Sequence, residues 1–286
     1  IFDKSEIKFK LNEKNQPKKI LFKSTKSANK LIEEFMLLAN RRVADRMKKS
    51  NEKFVYRVHD QPNQEKLENL QTVVKRLGYN LKLTKKELNS SLNSLLKSAF
   101  GKNEQNLIDT LMIRSMSKAE YTTKNIGHYG LSFDNYTHFT SPIRRYPDVM
   151  VHRLIQAELE RKKIKTEDTE NQCKHSTHME ILATKAERDS IKLMQIKYML
   201  DKEGKTFEAV ISGVVARGVF VEVVENKCEG LVKAKDLPGD FYVHDQKNHR
   251  FVGERTGKKY QLGDKTRVVL IKADQIKKRL DFQILT

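Results

Sequence analysis

The sequence predicts an α+β chain: a helix-rich part through about residue 203, then a small closed β-barrel over 204–286. Two observations carry this. Before Gly204, apolar residues recur at helical spacing through several long windows. After it, β-branched residues dominate short runs separated by Gly-containing turns, the pattern of a barrel. At 286 residues the chain can bury a full core in one or two domains.

Residues 5–23 read as a hairpin. Ile7, Phe9 and Leu11 alternate with Lys8 and Lys10, residues 13–17 make the turn, and Ile20, Leu21 and Phe22 return. Ser27 is placed to cap a helix over about 28–47, in which Leu31, Phe35, Leu38 and Val43 are the apolar positions; Lys30 stands where a capping box would put Glu. Residues 54–60 are strand-like and end before Pro62. Residues 65–77 form a helix stopped by Gly78. Thr84 caps the next helix, with Leu88, Leu92, Leu95 and Leu96 apolar, and Asn103 caps a third, with Leu107, Leu111, Met112 and Met116. Residues 119–148 are irregular and rich in Gly and Tyr. Asp148 is placed to cap a helix running to about 161, with Val151, Leu154, Ile155 and Leu159 inward. The polar, lysine-rich run 162–177 reads as a surface loop, followed by a helix over about 178–202 with Met179, Leu182, Ala186, Leu193 and Met194 apolar. Strands are expected over 206–211, 219–224, 230–232, 266–271 and 280–285.

Lys plus Arg number 56 against 37 acids, a formal charge of +19. That excess cannot be neutralised internally and calls for a polyanionic partner, nucleic acid first. A membrane is the rival, but no apolar run approaches the roughly 20 residues a spanning helix needs, and no signal-peptide pattern opens the chain. Cys173 and Cys228 lie far apart without CxxC spacing, which argues against zinc or a disulfide framework and fits a reducing cytoplasm. A start at Ile1 with strand-like text reads as the C-terminal part of a longer protein.

The most informative stretch is 138–148, His-Phe-Thr-Ser-Pro-Ile-Arg-Arg-Tyr-Pro-Asp. Pro142 forbids helix continuation and biases Ser141 toward extended backbone. Arg144 and Arg145 carry planar forks that match phosphate oxygens. Phe139 and Tyr146 offer flat faces for a base. Together they suggest a seat for a nucleic-acid strand; a solvated basic loop followed by an amphipathic helix is the alternative.

The run 125–131, Asn-Ile-Gly-His-Tyr-Gly-Leu, followed by Tyr136 to Asp148 and by His152-Arg153, closely resembles the ribonuclease II family in its bacterial ribonuclease R branch, whose catalytic domain is called RNB. The runs 213–222 and 229–232 resemble the OB-fold RNA-binding module first named in a ribosomal protein, the S1 type, and 251–264 resembles the terminal module of the same enzymes. The resemblance implies the C-terminal portion of an RNB domain over 1–203 and a five-stranded OB-fold barrel over 204–286.

It also implies an activity: processive, magnesium-dependent 3′-to-5′ exoribonuclease action that releases nucleoside 5′-monophosphates. In the family a cluster of aspartates holds the Mg2+. Here Asp60, Asp109, Asp134, Asp148 and Asp189 are isolated. The ligands are therefore expected outside this stretch, and the stretch alone is expected to be inactive. Arg144 matches the arginine at the scissile phosphate, where a forked cation stabilises added charge; a salt bridge to Asp148 is its alternative. Arg145 is ambiguous, since one of two neighbours usually faces away. Glu187 matches a glutamate near the terminal nucleotide, where a carboxylate can accept from ribose hydroxyls; a solvated helix acid is the alternative. Glu33 matches another acid at the 3′-terminal nucleotide and, if buried, needs a polar partner; Glu34 could pair with Lys30. Phe2 aligns with an aromatic that clamps bases. Tyr136 and Tyr146 have the chemistry for strand contact, whereas His138 reads as a structural hydrogen-bonder. In the barrel, Phe220 could stack a base or be core, and Lys205, Arg217, Lys233 and Lys235 could track phosphates.

The partner expected is single-stranded RNA with a free 3′ end, bound by a cytoplasmic monomer that could associate with the ribosome or RNA-decay factors. A non-catalytic single-stranded-RNA-binding protein is the second reading, and a basic scaffold, supported by charge alone, the third.

Overall fold

The structure, a computed structural model, describes residues 6–24, 26–50, 52–84, 87–102, 104–163 and 165–285. It divides into two compact units. One gathers residues 24–63 and 116–187; the other gathers 6–23, 64–115 and 188–286. The hairpin and helices 64–115 cluster with the barrel.

The first unit is built on helix α1 (Ser27–Ser50), a two-stranded sheet of β3 (Tyr56–His59) and β4 (Ala119–Thr122), helix α5 (Tyr146–Leu159) and the first part of helix α6 (Thr169–Met199). The antiparallel register sets Tyr56 opposite Thr122 and His59 opposite Ala119. Met47, Phe54, Val55, Tyr121, Met150, Val151 and Leu154 form its core with Cys173. On α5 the buried residues Pro147, Met150, Val151, Leu154 and Ala157 follow helical spacing.

Several expectations are corrected in this unit. In α1 it is Asn40, Ala44 and Met47 that are buried, while Leu31, Phe35 and Leu38 are exposed. Asp148 is not the cap of α5: Arg145 holds the N-cap position, and Asp148 lies inside the first turn, completely buried. Leu159, expected inward, is exposed. The run 162–177 is not all loop, because α6 starts at Thr169 and buries Cys173.

The second unit holds the antiparallel hairpin β1 (Glu6–Leu11) and β2 (Pro17–Lys23), helices α2 (Gln64–Arg76), α3 (Leu88–Ala99) and α4 (Gln105–Ser115), the end of α6, and the barrel. α2 buries Leu67, Leu70 and Val74, and α3 buries Leu88, Leu92, Leu95 and Ala99. Glu87 is the N-cap residue of α3; Thr84, expected there, uses its hydroxyl to reach the Glu87 carboxylate at 2.9 Å. Asn103, expected to cap α4, lies outside the described residues.

The barrel strands are β5 (Thr206–Val215), β6 (Gly218–Val223), β7 (Glu229–Lys233), β11 (Lys265–Asp274) and β12 (Arg279–Ile284), closed in the order β11-β12-β7-β6-β5. Ile211, Val219, Val221, Val223, Val232, Val268 and Leu270 fill the interior, and Ile20 of the hairpin joins them. Gly218 has φ 149°, and a Cβ there would stand 2.1 Å from the Val232 carbonyl oxygen, so no other residue fits between β6 and β7. Between β7 and β11 the chain adds a sheet that the sequence did not announce, β8 (Tyr242–Asp245), β9 (Arg250–Gly253) and β10 (Lys259–Gln261), in the order β10-β9-β8.

Candidate nucleic-acid interface

In the first unit the backbone from Tyr136 to Arg145 is tied down almost residue by residue. Arg57 N donates to the Tyr136 carbonyl at 2.9 Å, and the Thr137 hydroxyl donates to the Val55 carbonyl at 2.7 Å. Asn40 Oδ1 accepts from Phe139 N at 2.9 Å and Thr140 N at 3.2 Å, while its Nδ2 donates to the Tyr136 hydroxyl at 3.1 Å. His152 Nε2 meets the Phe139 carbonyl at 2.8 Å, and the two rings stack at 4.2 Å. Asp148 Oδ1 then accepts from Ser141 N and from Arg145 Nη2, both at 2.8 Å. Arg144 N and Arg145 N close a turn on the Ser141 carbonyl at 3.3 and 3.1 Å.

The arginine pair is thereby sorted. Arg145 turns inward to Asp148, so the pairing weighed for Arg144 belongs to its neighbour. Arg144 points out on the turn formed after Pro142, and its guanidinium makes no hydrogen bond or ion pair among the described residues. Ile143 beside it is 97 % exposed, and Tyr146, at the first turn of α5, is also exposed. Tyr136 is buried, with its ring against those of His128, Phe133 and His138. Its faces are thus taken up by protein, which makes it part of the support under the loop.

That support is a nest of rings held neutral. Burial, then the Arg145 and Arg57 charges, push His138 down to about 3. Burial, then His59 and Arg57, push His128 down to about 4. Burial pushes the Tyr121 hydroxyl up to about 12, and it is hydrogen-bonded to His138 Nδ1 at 2.8 Å. Arg57 lies 4.6 Å over the Tyr121 ring and forks onto Glu180 of α6 at 2.7 and 3.0 Å. Asn40, Arg57 and Glu180 were not singled out from sequence. The available signal was Asn40 itself, a buried-side amide inside an apolar helical run, where a short polar side chain is costly without partners.

Glu33 and Glu187 are placed on bare helix. Every residue from Lys26 to Phe35 is exposed, and so is every residue from Ile181 to Ser190. The desolvation that would demand a partner for Glu33 does not arise, and neither Glu33 nor Glu34 makes an ion pair among the described residues, so the Lys30–Glu34 pair is absent. Phe2 lies outside the described residues.

In the second unit, strand alternation gathers three expected residues on the outer face of the barrel. Val219 and Val221 point in, so Phe220 points out, opposite Gly213 and Leu231. Gly218 pairs with Lys233, and Arg217 places its guanidinium carbon 5.4 Å from the Phe220 ring centre. A flat ring beside the Arg217 cation, with Lys233 on the neighbouring strand, is suited to one base and its flanking phosphates. A shallow depression of about 350 Å³ lies elsewhere on the barrel, lined by Thr206, Phe207, Glu208, Val224, Glu225 and Arg267, and contains none of these residues. Among the described residues no group of three or more His, Cys, Asp or Glu side chains is placed to hold a metal ion. No helix among them is long and apolar enough to cross a membrane.

Comparison with known proteins gives the geometry a context. A family model described as the RNB domain matches residues 1–161, and one described as the S1 RNA binding domain matches residues 200–285. Ribonuclease R of Aquifex aeolicus is 38 % identical over 288 residues, covering 99 % of this chain and 41 % of that protein. The apo form of Mycoplasma genitalium RNase R superposes with a TM-score of 0.90 at 28 % identity, over 98 % of this chain and 45 % of that one. The same enzyme in complex with ribose-methylated single-stranded RNA also gives 0.90 at 28 % identity, over 99 % and 45 %. The chain thus spans roughly two fifths of the length of the curated relatives it matches, such as 41 % of the Aquifex protein.

Proposed function

This chain belongs to the RNB-domain family and carries an S1 RNA binding domain behind it, and from that premise we propose that it is the C-terminal part of a processive 3′-to-5′ exoribonuclease that hydrolyses RNA to nucleoside 5′-monophosphates. The observation that carries the reading is Arg144, a guanidinium without a partner among the described residues, on a loop whose backbone is pinned by Asn40 and Asp148. A forked cation carried on a fixed backbone, with its donors unengaged among the described residues, is suited to the charge that grows on a phosphate under attack.

In this reading Arg144 meets the scissile phosphate, and Glu187 and Glu33 accept from ribose hydroxyls of the 3′-terminal nucleotides, which is how RNA is told from DNA. Tyr146 and Phe2 are the residues that take bases. Arg145 and Tyr136 serve from beneath, by fixing the loop. Phe220, Arg217 and Lys233 hold the strand on the barrel and add affinity without chemistry. The division into an RNB part to residue 203 and an OB-fold part from 204 is kept as a division of labour. The side chains described do not fit the magnesium that the family implies, since no carboxylate cluster is present among them; its ligands belong to sequence outside this stretch. The partner is single-stranded RNA with a free 3′ end, met by a monomer in the cytoplasm, with the ribosome or decay factors as further associates.

The test is Arg144→Ala in the full-length protein. Cleavage is expected to fall about 100-fold or more, the usual cost of one lost transition-state donor, while RNA affinity changes little; activity close to the parent's would remove Arg144 from the site. The isolated 286-residue chain is expected to release no mononucleotides with added Mg2+, and robust release would contradict the placement of the metal ligands. The second reading, a non-catalytic single-stranded-RNA binder, is favoured by the same lack of a carboxylate cluster among the described residues. An aspartate cluster encoded before Ile1 decides for the enzyme.

A further inference from the structure

The sheet inserted between β7 and β11 has two unlike faces. On one, the register lines up His244, Phe251 and Tyr260, and Tyr242, Phe251 and Tyr260 join the barrel core. On the other, it lines up Val243, Val252 and Lys259, and Phe241 continues that alternation just before β8. Phe241 is 70 % exposed and Val243 48 %. The ring of Phe241 thus stands in water just ahead of β8, on the same side as the half-exposed Val243.

Asp240 explains why the ring stays out. Its Oδ1 accepts from Phe241 N at 2.7 Å, and its Oδ2 accepts from Thr256 N and the Thr256 hydroxyl at 2.7 Å and from Arg255 N at 3.0 Å. Glu254 N donates to the Phe241 carbonyl at 2.9 Å. One carboxylate thus ties the base of the ring to the 254–256 turn. The fit is tight enough to exclude a side chain at position 253, where a Cβ would lie 2.6 Å from Asp240 Oδ2. The Thr256 hydroxyl, followed by the Thr256 amide, holds the Asp240 carboxyl well below the usual range, so it stays an anion and the clamp stays closed.

The same turn presents cations. Arg255 has an 81 % exposed side chain whose single contact here is a long one, Nε to Asp240 Oδ1 at 3.4 Å, leaving its Nη groups without partners among the described residues. Lys258 and Lys259 are exposed beside it. Of the nearby acids, Asp240 is used by the clamp and Asp245 pairs with Arg250 at 2.9 Å; Glu254 is exposed. The surface therefore offers one stacking face and an excess of free positive charge. A second copy of the chain, itself at +19, is a poor match, and a polyanion with flat bases is a good one.

We propose that the outer face of the β8–β9–β10 sheet is a second seat for single-stranded RNA, separate from the barrel face at Phe220, in which Phe241 stacks one base and Arg255 and Lys259 hold its flanking phosphates. The assignment rests on the reading that the chain binds RNA, and the experiment separates the two. Binding of a fluorescent oligouridylate to the 286-residue chain is followed by anisotropy against salt, for the parent, Phe241→Ala, Phe241→Tyr and Arg255→Ala, with circular dichroism melts confirming that each is folded. Phe241→Ala is expected to weaken binding about 5- to 150-fold, the range of one lost base stack, and Phe241→Tyr to restore it. Arg255→Ala is expected to lower the slope of log Kd against log salt by about 0.7, one single-strand phosphate contact. Parental affinity and slope in both alanine variants, with the parent binding RNA, would overturn this seat and leave the broader reading intact. A parent that ignores RNA would sink the broader reading itself. A Phe241→Ala that alters only self-association in sedimentation would also overturn the seat, assigning the face to a second copy.

Discussion

Arg145 Nη2 donates to Asp148 Oδ1 at 2.8 Å, one helical turn away, and the carboxylate it meets is completely buried. The same oxygen accepts Ser141 N. One buried acid therefore anchors both ends of the turn that carries Arg144. Removing one partner of a buried pair leaves the other charge stranded, at about 3–5 kcal/mol. Asp148→Ala is expected to destabilise the chain by that amount in urea unfolding, whereas Arg144→Ala, on the exposed turn, is expected to stay within about 0.5 kcal/mol. Equal costs for the two would show that the inward and outward assignment of the arginines is reversed.

Asn40 does for Phe139 and Thr140 what Asp148 does for Ser141. Its buried amide accepts two backbone N–H groups and donates to the Tyr136 hydroxyl. Asn40→Ala orphans these groups, each at about 1–3 kcal/mol when shut away from water. With three groups affected and two of them half-buried, a total loss of about 3 kcal/mol or more is expected in denaturant melts. The loop should also loosen, seen as faster amide exchange at Phe139 and Thr140. Unchanged protection at these two amides would dismiss Asn40 as an anchor.

Acid should open the first unit through its histidines. His128 and His138 titrate at about 4 and about 3 when folded, against about 6.5 in an unfolded chain. Between those values the unfolded chain binds protons that the folded chain refuses, so stability falls as the pH is lowered from about 6.5 toward 4. Burial is the leading cause for both, so removing the titrating ring removes the effect. The melting temperature of a folded His138→Gln variant is expected to fall less steeply over that range than the parent's. A parent whose melting temperature stays flat from pH 6.5 to 4.5 would refute the buried neutral pair.

These anchors mark where the sequence stopped being legible. Alternation located the hairpin, and β-branched runs between Gly-containing turns located the barrel strands, whose residues then alternate between core and water. It missed β8, β9 and β10, which are three or four residues long, too short for alternation to stand out. The start of α6 hid in lysine-rich text because no apolar stripe holds it. Its anchors are single residues, Cys173 in the core and Glu170, which accepts from Thr123 N at 2.7 Å and from the Thr122 and Thr123 hydroxyls. In α1 the apolar positions located the helix, but of the four only Val43 packs against the core, while Leu31, Phe35 and Leu38 are exposed. At the site, chemistry named Arg144 and Arg145 together. Spacing does not sort them, since three and four residues both reach Asp148; the structure ties Arg145.

The two cysteines offer an independent clock on each unit. Cys173 lies in the core of the first unit and Cys228 in that of the second, both fully buried. Burial pushes each thiol up to about 12, so neither carries appreciable thiolate at pH 8. Since the thiolate is the reacting species, both should be silent toward a disulfide reagent in the native chain. Reaction then requires local or global opening, and its rate reads the free energy of that opening. Both thiols are expected to label only as denaturant is added. Asp148→Ala should advance the labelling of Cys173 well ahead of Cys228, because the lost anchor lies in the unit that holds Cys173. Fast stoichiometric labelling of either thiol without denaturant would show that its core is open, and equal acceleration of both by Asp148→Ala would show that the two units unfold as one.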